Sequence, residues 1–130
     1  MDTSTCSLKI LLIEDNHDFV FLLGSLFESM GHKCIPAFDG TEGIHKAKEI
    51  KPDVIFCDIG LPEMDGFEVA KTIKADDLLK DICMIALTGY ADKRDLDNAA
   101  KSGFNYHMAK PVGMADIKQI LNIVQNRRVI

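Results

Sequence analysis

Three short stretches of this chain are apolar at every position: Ile10-Leu11-Leu12-Ile13, Val54-Ile55-Phe56-Cys57 and Ile82-Cys83-Met84-Ile85-Ala86-Leu87. A strand with one wet face alternates apolar and polar residues. A run without alternation must be covered on both faces, as strands are in a parallel sheet sandwiched between helices. The intervening segments carry helical spacing instead, as in Phe19, Leu22, Leu23, Leu26, Phe27 and Met30, closed by Gly31 as a C-terminal stop. This pattern predicts strands over Lys9 to Glu14, Lys33 to Phe38, Val54 to Asp58, Ile82 to Leu87 and Tyr106 to Ala109. Helices are expected over Asn16 to Met30, Gly40 to Lys48, Gly66 to Lys74, Lys93 to Ser102 and Gly113 to Gln125, the last with Ile117, Ile120, Leu121 and Val124 on one stripe. Five strand–helix units in this order imply an α/β fold, a (βα)5 doubly wound five-stranded parallel sheet, because right-handed crossovers place helices on both faces.

With 130 residues the chain has room for one domain. Its 47% hydrophobic and 27% charged content is that of an ordinary globular protein. A formal net charge of −5 argues against a phosphate-backbone binder, so no nucleic-acid partner is expected. The longest apolar runs fall far short of the ~20 residues of a membrane span, and the first six residues lack a signal-peptide layout. A cytoplasmic protein with no membrane partner is therefore expected. Cys6, Cys34, Cys57 and Cys83 are scattered, with no CxxC or Cys/His cluster, and read as idle or buried thiols.

Polar residues close the strand-like runs: Glu14-Asp15 after the first, Asp58 at the third, Thr88 after the fourth and Lys110-Pro111 after the fifth. Ligands of open α/β sheets bind beyond the carboxyl ends of the strands, where strand order reverses. If the order is 2-1-3-4-5, Glu14, Asp15 and Asp58 share one acidic hollow. Close carboxylate pairs repel by about 4 kcal/mol each at an effective dielectric near 20. Lys110 offers one compensating cation, and a hard divalent ion such as Mg²⁺ suits the remaining charge. With Thr88 as a hydroxyl donor, the hollow is equipped to receive a phosphoryl group. Taken singly, Asp58 reads as a capping carboxylate, Thr88 as a turn hydroxyl and Lys110 as a solvated lysine. His17, His32 and His45 read as surface histidines, and Met108 and Met114 as fillers of core gaps.

Glu14-Asp15, Asp58 followed by Gly60-Leu61-Pro62-Glu63-Met64-Asp65-Gly66, Thr88-Gly89 and Lys110-Pro111, in this order and spacing, resemble the motif set of bacterial response-regulator receiver domains. The resemblance runs from about Lys9 to the end of the last helix. It implies a flavodoxin-like receiver fold of order 2-1-3-4-5, a single receiver domain over 1–130 with its core at about 8–126. By resemblance, Asp58 accepts a phosphoryl group from a histidine kinase or histidine phosphotransfer protein. Asp15, Asp58 and the Gly60 carbonyl bind Mg²⁺, and Glu14 holds one of its waters. Lys110 pairs with one phosphoryl oxygen, Thr88 hydrogen-bonds another, and the Lys110-Pro111 bond is cis. Transfer through a loose transition state needs this positioning and charge compensation more than covalent help. Such a chain is a phosphorelay and two-component signalling protein, not a metabolic enzyme, and its downstream partner is unnamed by the sequence.

The switch position three residues before the lysine, usually Tyr or Phe in the family, is His107 here, paired in that role with Thr88. Tyr106 faces the other side of its strand. Histidine at this position and Gly103-Phe104 before the strand resemble receivers attached to hybrid histidine kinases. Met1 and the short ends favour an independent protein over an excised receiver. On the first helix the core stripe is centred on Phe19, Leu23, Leu26 and Met30, with Phe21 nearly opposite, beside His17, Gly24 and Glu28. Receivers present this helix to their phosphodonor, so Phe21, with Val20 at the margin, is a candidate docking anchor. Gly60 and Tyr90, two residues beyond Asp58 and Thr88, lack an amide or acid to orient an attacking water, which implies slow dephosphorylation. Two alternatives stay open. One is a Mg²⁺-dependent phosphohydrolase of the haloacid-dehalogenase type, against which Asp18 stands one place too late after Asp15; the other is a degenerate receiver used only for protein interaction.

Overall fold

In the computed structural model, which describes residues 7–89 and 93–129, the strands are β1 (Lys9–Ile13), β2 (Lys33–Ala37), β3 (Val54–Asp58), β4 (Cys83–Thr88) and β5 (Tyr106–Ala109). The helices are α1 (His17–Ser29), α2 (Gly40–Ile50), α3 (Gly66–Ala75), α4 (Lys93–Ser102) and α5 (Met114–Val129). All strand pairs are parallel and the order is β2-β1-β3-β4-β5. The apolar runs form β1, β3 and β4 because both faces of these strands are covered. Ile10, Leu12, Phe56, Ile85 and Leu87 pack under α1 and α5, whereas Leu11, Ile13, Ile55, Met84 and Ala86 pack under α2, α3 and α4. The stripe Ile117, Ile120, Leu121 and Val124 of α5 is buried as expected.

Side chains and backbone sterics fix where the helices start and stop. Asn16, Asp39 and Asp65 precede α1, α2 and α3, and each accepts a hydrogen bond from the backbone N–H three residues on, at Phe19, Glu42 and Glu68. Gly31, with φ +90°, ends the chain's run through α1 in a conformation that a Cβ disfavours. At the opposite end of the sheet from these caps, Lys74 Nζ donates to the carbonyls of Lys80 and Ile82, and Asn105 Oδ1 accepts the Met84 N–H. These bonds tie α3 to the start of β4 and the approach to β5.

Several side chains depart from expectation. The buried residues of α1 are Val20, Leu23 and Phe27, so the stripe keeps Leu23 but is rotated away from Phe19, Leu26 and Met30, which only partly bury, and Leu22 is 62% exposed. Phe27 turns inward because its ring meets Phe56 of β3, centroids 4.9 Å apart. Met108 is buried, but Met114 is 44% exposed at the first turn of α5 and fills no core gap. His32 is half-buried, and its Nδ1 accepts the Leu8 N–H at 3.0 Å. Cys34, Cys57 and Cys83 are free thiols, while Cys6 lies outside the described residues. Among the described residues no helix is long and apolar enough to cross a membrane.

Gly66 opens α3 where the chain passes over the end of β3. A Cβ there would stand 2.5 Å from the Asp58 carbonyl oxygen and 2.6 Å from Ile59 Cα, whereas one on Gly89 would meet nothing within 4 Å. Backbone atoms cannot yield as a side-chain tip does. Gly66→Ala is expected to cost about 2 kcal/mol or more, in the range of overpacking, and Gly89→Ala less than about 0.5 kcal/mol, as read by urea unfolding. Equal midpoints for the two variants would refute the close approach.

Candidate functional site

The strand order brings four polar strand ends to one edge of the sheet. β1 and β3 are neighbours, with Ile13 opposite Cys57, so Glu14 and Asp15 emerge beside Asp58, the last residue of β3. β4 ends next door at Thr88, opposite Ala109 of β5, and the Lys110 N–H extends that ladder by donating to the Thr88 carbonyl at 2.8 Å. Lys110 therefore leaves the sheet at a height set by the backbone. The Lys110–Pro111 peptide bond is cis, as the resemblance implied.

Glu14 and Asp58 are 1% and 8% exposed, while Asp15 is exposed, and one carboxylate oxygen from each lies within 4.8 Å of the other two. Local hydrogen bonds hold this crowding in place. The Glu14 N–H donates to the Ala37 carbonyl of β2, and Glu14 Oε2 accepts the Asn16 N–H at 3.1 Å. Asp58 Oδ1 accepts the Gly60 N–H at 3.1 Å. Lys110 Nζ stands 2.5 Å from Glu14 Oε1 and 3.5 Å from Asp58 Oδ2. Burial pushes the Glu14 carboxyl above its usual range. The Lys110 ammonium and the Asn16 N–H oppose that shift, and the Asp58 charge adds to it. One ammonium against three carboxylates leaves two negative charges without a counter-charge. A compact group of hard oxygen donors in that state fits a divalent cation.

The structure thus brings Glu14, Asp15, Asp58 and Lys110 together. Thr88 lies at the same strand ends, fully buried, its hydroxyl donating to the Met108 carbonyl at 3.4 Å. Gly60 is next to Asp58, and its N–H is the group seen to contact that carboxylate. His107 is exposed on β5 opposite Ala86 and shares the sheet face of Thr88, whereas Tyr106 packs partly against the α1 and α5 side. Phe21 is 77% exposed on α1, but Val20 is 8% exposed and belongs to the core cluster, which corrects its placement at the margin of the wet face. Tyr90 lies outside the described residues.

Sequence reasoning gave no place at the pocket to two of its neighbours. Phe19, assigned to the core stripe, places its ring 4.7 Å from Lys110 Nζ, and Gly66 is pressed against the Asp58 carbonyl. For Phe19 the available signal was its position in the first turn of α1, just after the Glu14-Asp15 pair. For Gly66 it was the glycine directly after the Asp65 cap. His17, expected at the surface, is exposed and stacks on Phe38 with ring centroids 4.1 Å apart.

The family profile of the response regulator receiver domain matches residues 10–122. The polar-differentiation response regulator DivK of Brucella anthropi is 36% identical over 106 residues, covering 82% of this chain and 86% of that protein. Among solved structures, the receiver domain of the sensor histidine kinase PA1611 from Pseudomonas aeruginosa is 29% identical with a TM-score of 0.86, covering 93% of this chain and 99% of that one. That protein was solved with a magnesium ion coordinated in its active-site cleft. The chemotaxis protein CheY4 of Vibrio cholerae, 24% identical over 92% of this chain and 99% of its own, shares the fold with a TM-score of 0.86. With its acidic pocket at the strand ends and a family match across most of its length, this chain belongs to the response regulator receiver domain family.

Proposed function

We propose that this receiver takes a phosphoryl group onto Asp58 from a phosphohistidine, with Glu14 and Asp15 completing a Mg²⁺ site and Lys110 and Thr88 receiving the phosphoryl oxygens. The observation that carries the reading is the pairing of Lys110 Nζ with both Glu14 and Asp58 inside an under-compensated carboxylate cluster. The Asp58 carboxylate forms the new P–O bond as the P–N bond of the donor breaks, and the leaving imidazole takes a proton from solvent. Asp58 is fit for attack because the Gly60 N–H and Lys110 fix its orientation. As charge arrives on the phosphoryl oxygens, Lys110 exchanges part of its bond to Glu14 for one to phosphate. Mg²⁺ held by Glu14, Asp15 and Asp58 would supply a Lewis acid that spreads phosphoryl charge. PA1611, with its magnesium ion, supports that choice of metal.

Receiver membership makes a histidine kinase the class of partner. Phe21 and the exposed Leu22 offer an apolar patch on α1, beside a groove of about 270 Å³ lined by Val20, Phe21, Gly24, Glu28, Cys34 and Pro36. This is the docking face in our reading, with Phe21 as anchor. Thr88 and His107, on one sheet face, are its switch pair. Three unpaired thiols among the described residues support a reducing compartment, the cytoplasm. The phosphohydrolase alternative lacks its second aspartate, and the intact set Asp58, Thr88 and Lys110 argues against a degenerate receiver.

Asp58→Asn is expected to abolish labelling by a small-molecule phosphoryl donor with Mg²⁺, read by intact mass. Its metal-free melting temperature should not fall, because the amide keeps the acceptor for Gly60 and removes a repelling charge. Mg²⁺ should raise the melting temperature of the unmodified protein, by about 2.7 kcal/mol of added stability at a hundredfold excess over Kd, and leave Asp15→Asn nearly unmoved. An equal rise in both would refute the site. Phe21→Ala should slow transfer from a phosphorylated histidine kinase and not from the small-molecule donor; unchanged transfer from the kinase removes the docking role.

A further inference from the structure

The Lys110 ammonium has a third neighbour besides its two carboxylates. The face of the Phe19 ring stands 4.7 Å from Nζ, well inside the distance at which an aromatic quadrupole attracts a cation. The ring is itself held. The Phe19 N–H donates to the Asn16 side chain at the start of α1, and its side chain packs against the core cluster under that helix. The lysine side chain is 24% exposed, so the ring screens part of the ammonium from water where the carboxylates do not.

We propose that Phe19 is a positioning residue for the phosphoryl-transfer step, holding the Lys110 ammonium at the acidic pocket through a cation–π contact. The role presupposes Asp58 as acceptor and Lys110 as its cation. Its physical sense lies in what Lys110 must do. In the unmodified protein Nζ is nearer Glu14, at 2.5 Å, than Asp58, at 3.5 Å. Phosphoryl arrival on Asp58 draws it from Glu14 toward the phosphoryl oxygens. A hydrogen-bonding neighbour would have to be broken in that move. An aromatic face attracts the cation over a broad area and has no directional bond to lose, so the ammonium slides along it while staying on the pocket side. A lysine held only by carboxylates would spend more of its time with its four-carbon stem swung into solvent.

The test replaces Phe19 site-specifically with 4-fluoro, 3,5-difluoro and 3,4,5-trifluorophenylalanine, which withdraw ring electron density at nearly constant shape. Phe19→Leu and Phe19→Tyr are made alongside. The rate constant for labelling by acetyl phosphate with Mg²⁺ should fall stepwise along the fluorine series. It should be about threefold to tenfold lower in Phe19→Leu and stay within about twofold of the parent in Phe19→Tyr. A purely structural ring would give rates independent of fluorination, and a flat series overturns the proposal. A second readout needs no phosphorylation. The Lys110 Cε protons should show an upfield ring-current shift in the unmodified protein that disappears in Phe19→Leu, and an unchanged resonance also overturns the contact. If the parent protein takes no label at all, the phosphoacceptor reading fails, and the resonance still decides the contact.

Discussion

Glu14 and Asp58 are acids carried out of water by the strands that bear them, and Asp15 stands close enough to add a third charge. Lys110 offsets part of the repulsion among them, and the backbone holds the rest in place. Glu14 is pinned by a bond to β2 and Asp58 is the last residue of a buried strand. Burial raises the Glu14 carboxyl above its usual range even with Lys110 beside it. A pocket in this state gains by recruiting positive charge and by passing charge onto an incoming group, which is what a phosphoryl acceptor requires.

The scaffold transmits that constraint through its layers. Helices on both faces bury β3 and β4 throughout and β1 from Ile10 on, so their ends cannot drift apart, and the N-caps Asn16 and Asp65 start α1 and α3 immediately beside the pocket. The close approach of Gly66 to the Asp58 carbonyl constrains the backbone that carries this carboxylate. The ladder bond from Lys110 to Thr88 does the same for the lysine. Core and site are thus one mechanical unit: side chains pack the faces, and the strands they clamp aim the polar residues.

Much of this was legible in the residues. Unalternating runs announced covered strands, and polar residues at their ends announced a site, because the same backbone period governs both. The strand and helix bounds differ from expectation by only a few residues, as where Glu14 and Phe38 fall just outside β1 and β2. What periodicity misjudged is instructive. It put Phe19, Leu26 and Met30 at the centre of the α1 stripe and Val20 at the margin, yet Val20 is buried and Phe19 turns to Lys110. A helical wheel gives angles within a helix but not the angle at which that helix is set on the sheet. Here the Phe27–Phe56 contact and the cation on the far side of Phe19 decide it.

By itself, the sequence determined the alternation of elements, the burial of the sheet on both faces and the inventory of acids, hydroxyl and lysine at strand ends, since each follows from local spacing. Only the tertiary structure decided which oxygen meets which cation. It showed that Lys110 stands nearer Glu14 than Asp58 and that an aromatic face backs the lysine. These contacts join residues up to 96 positions apart. Their distances depend on how strands from separate parts of the chain register against one another, and no local pattern encodes that.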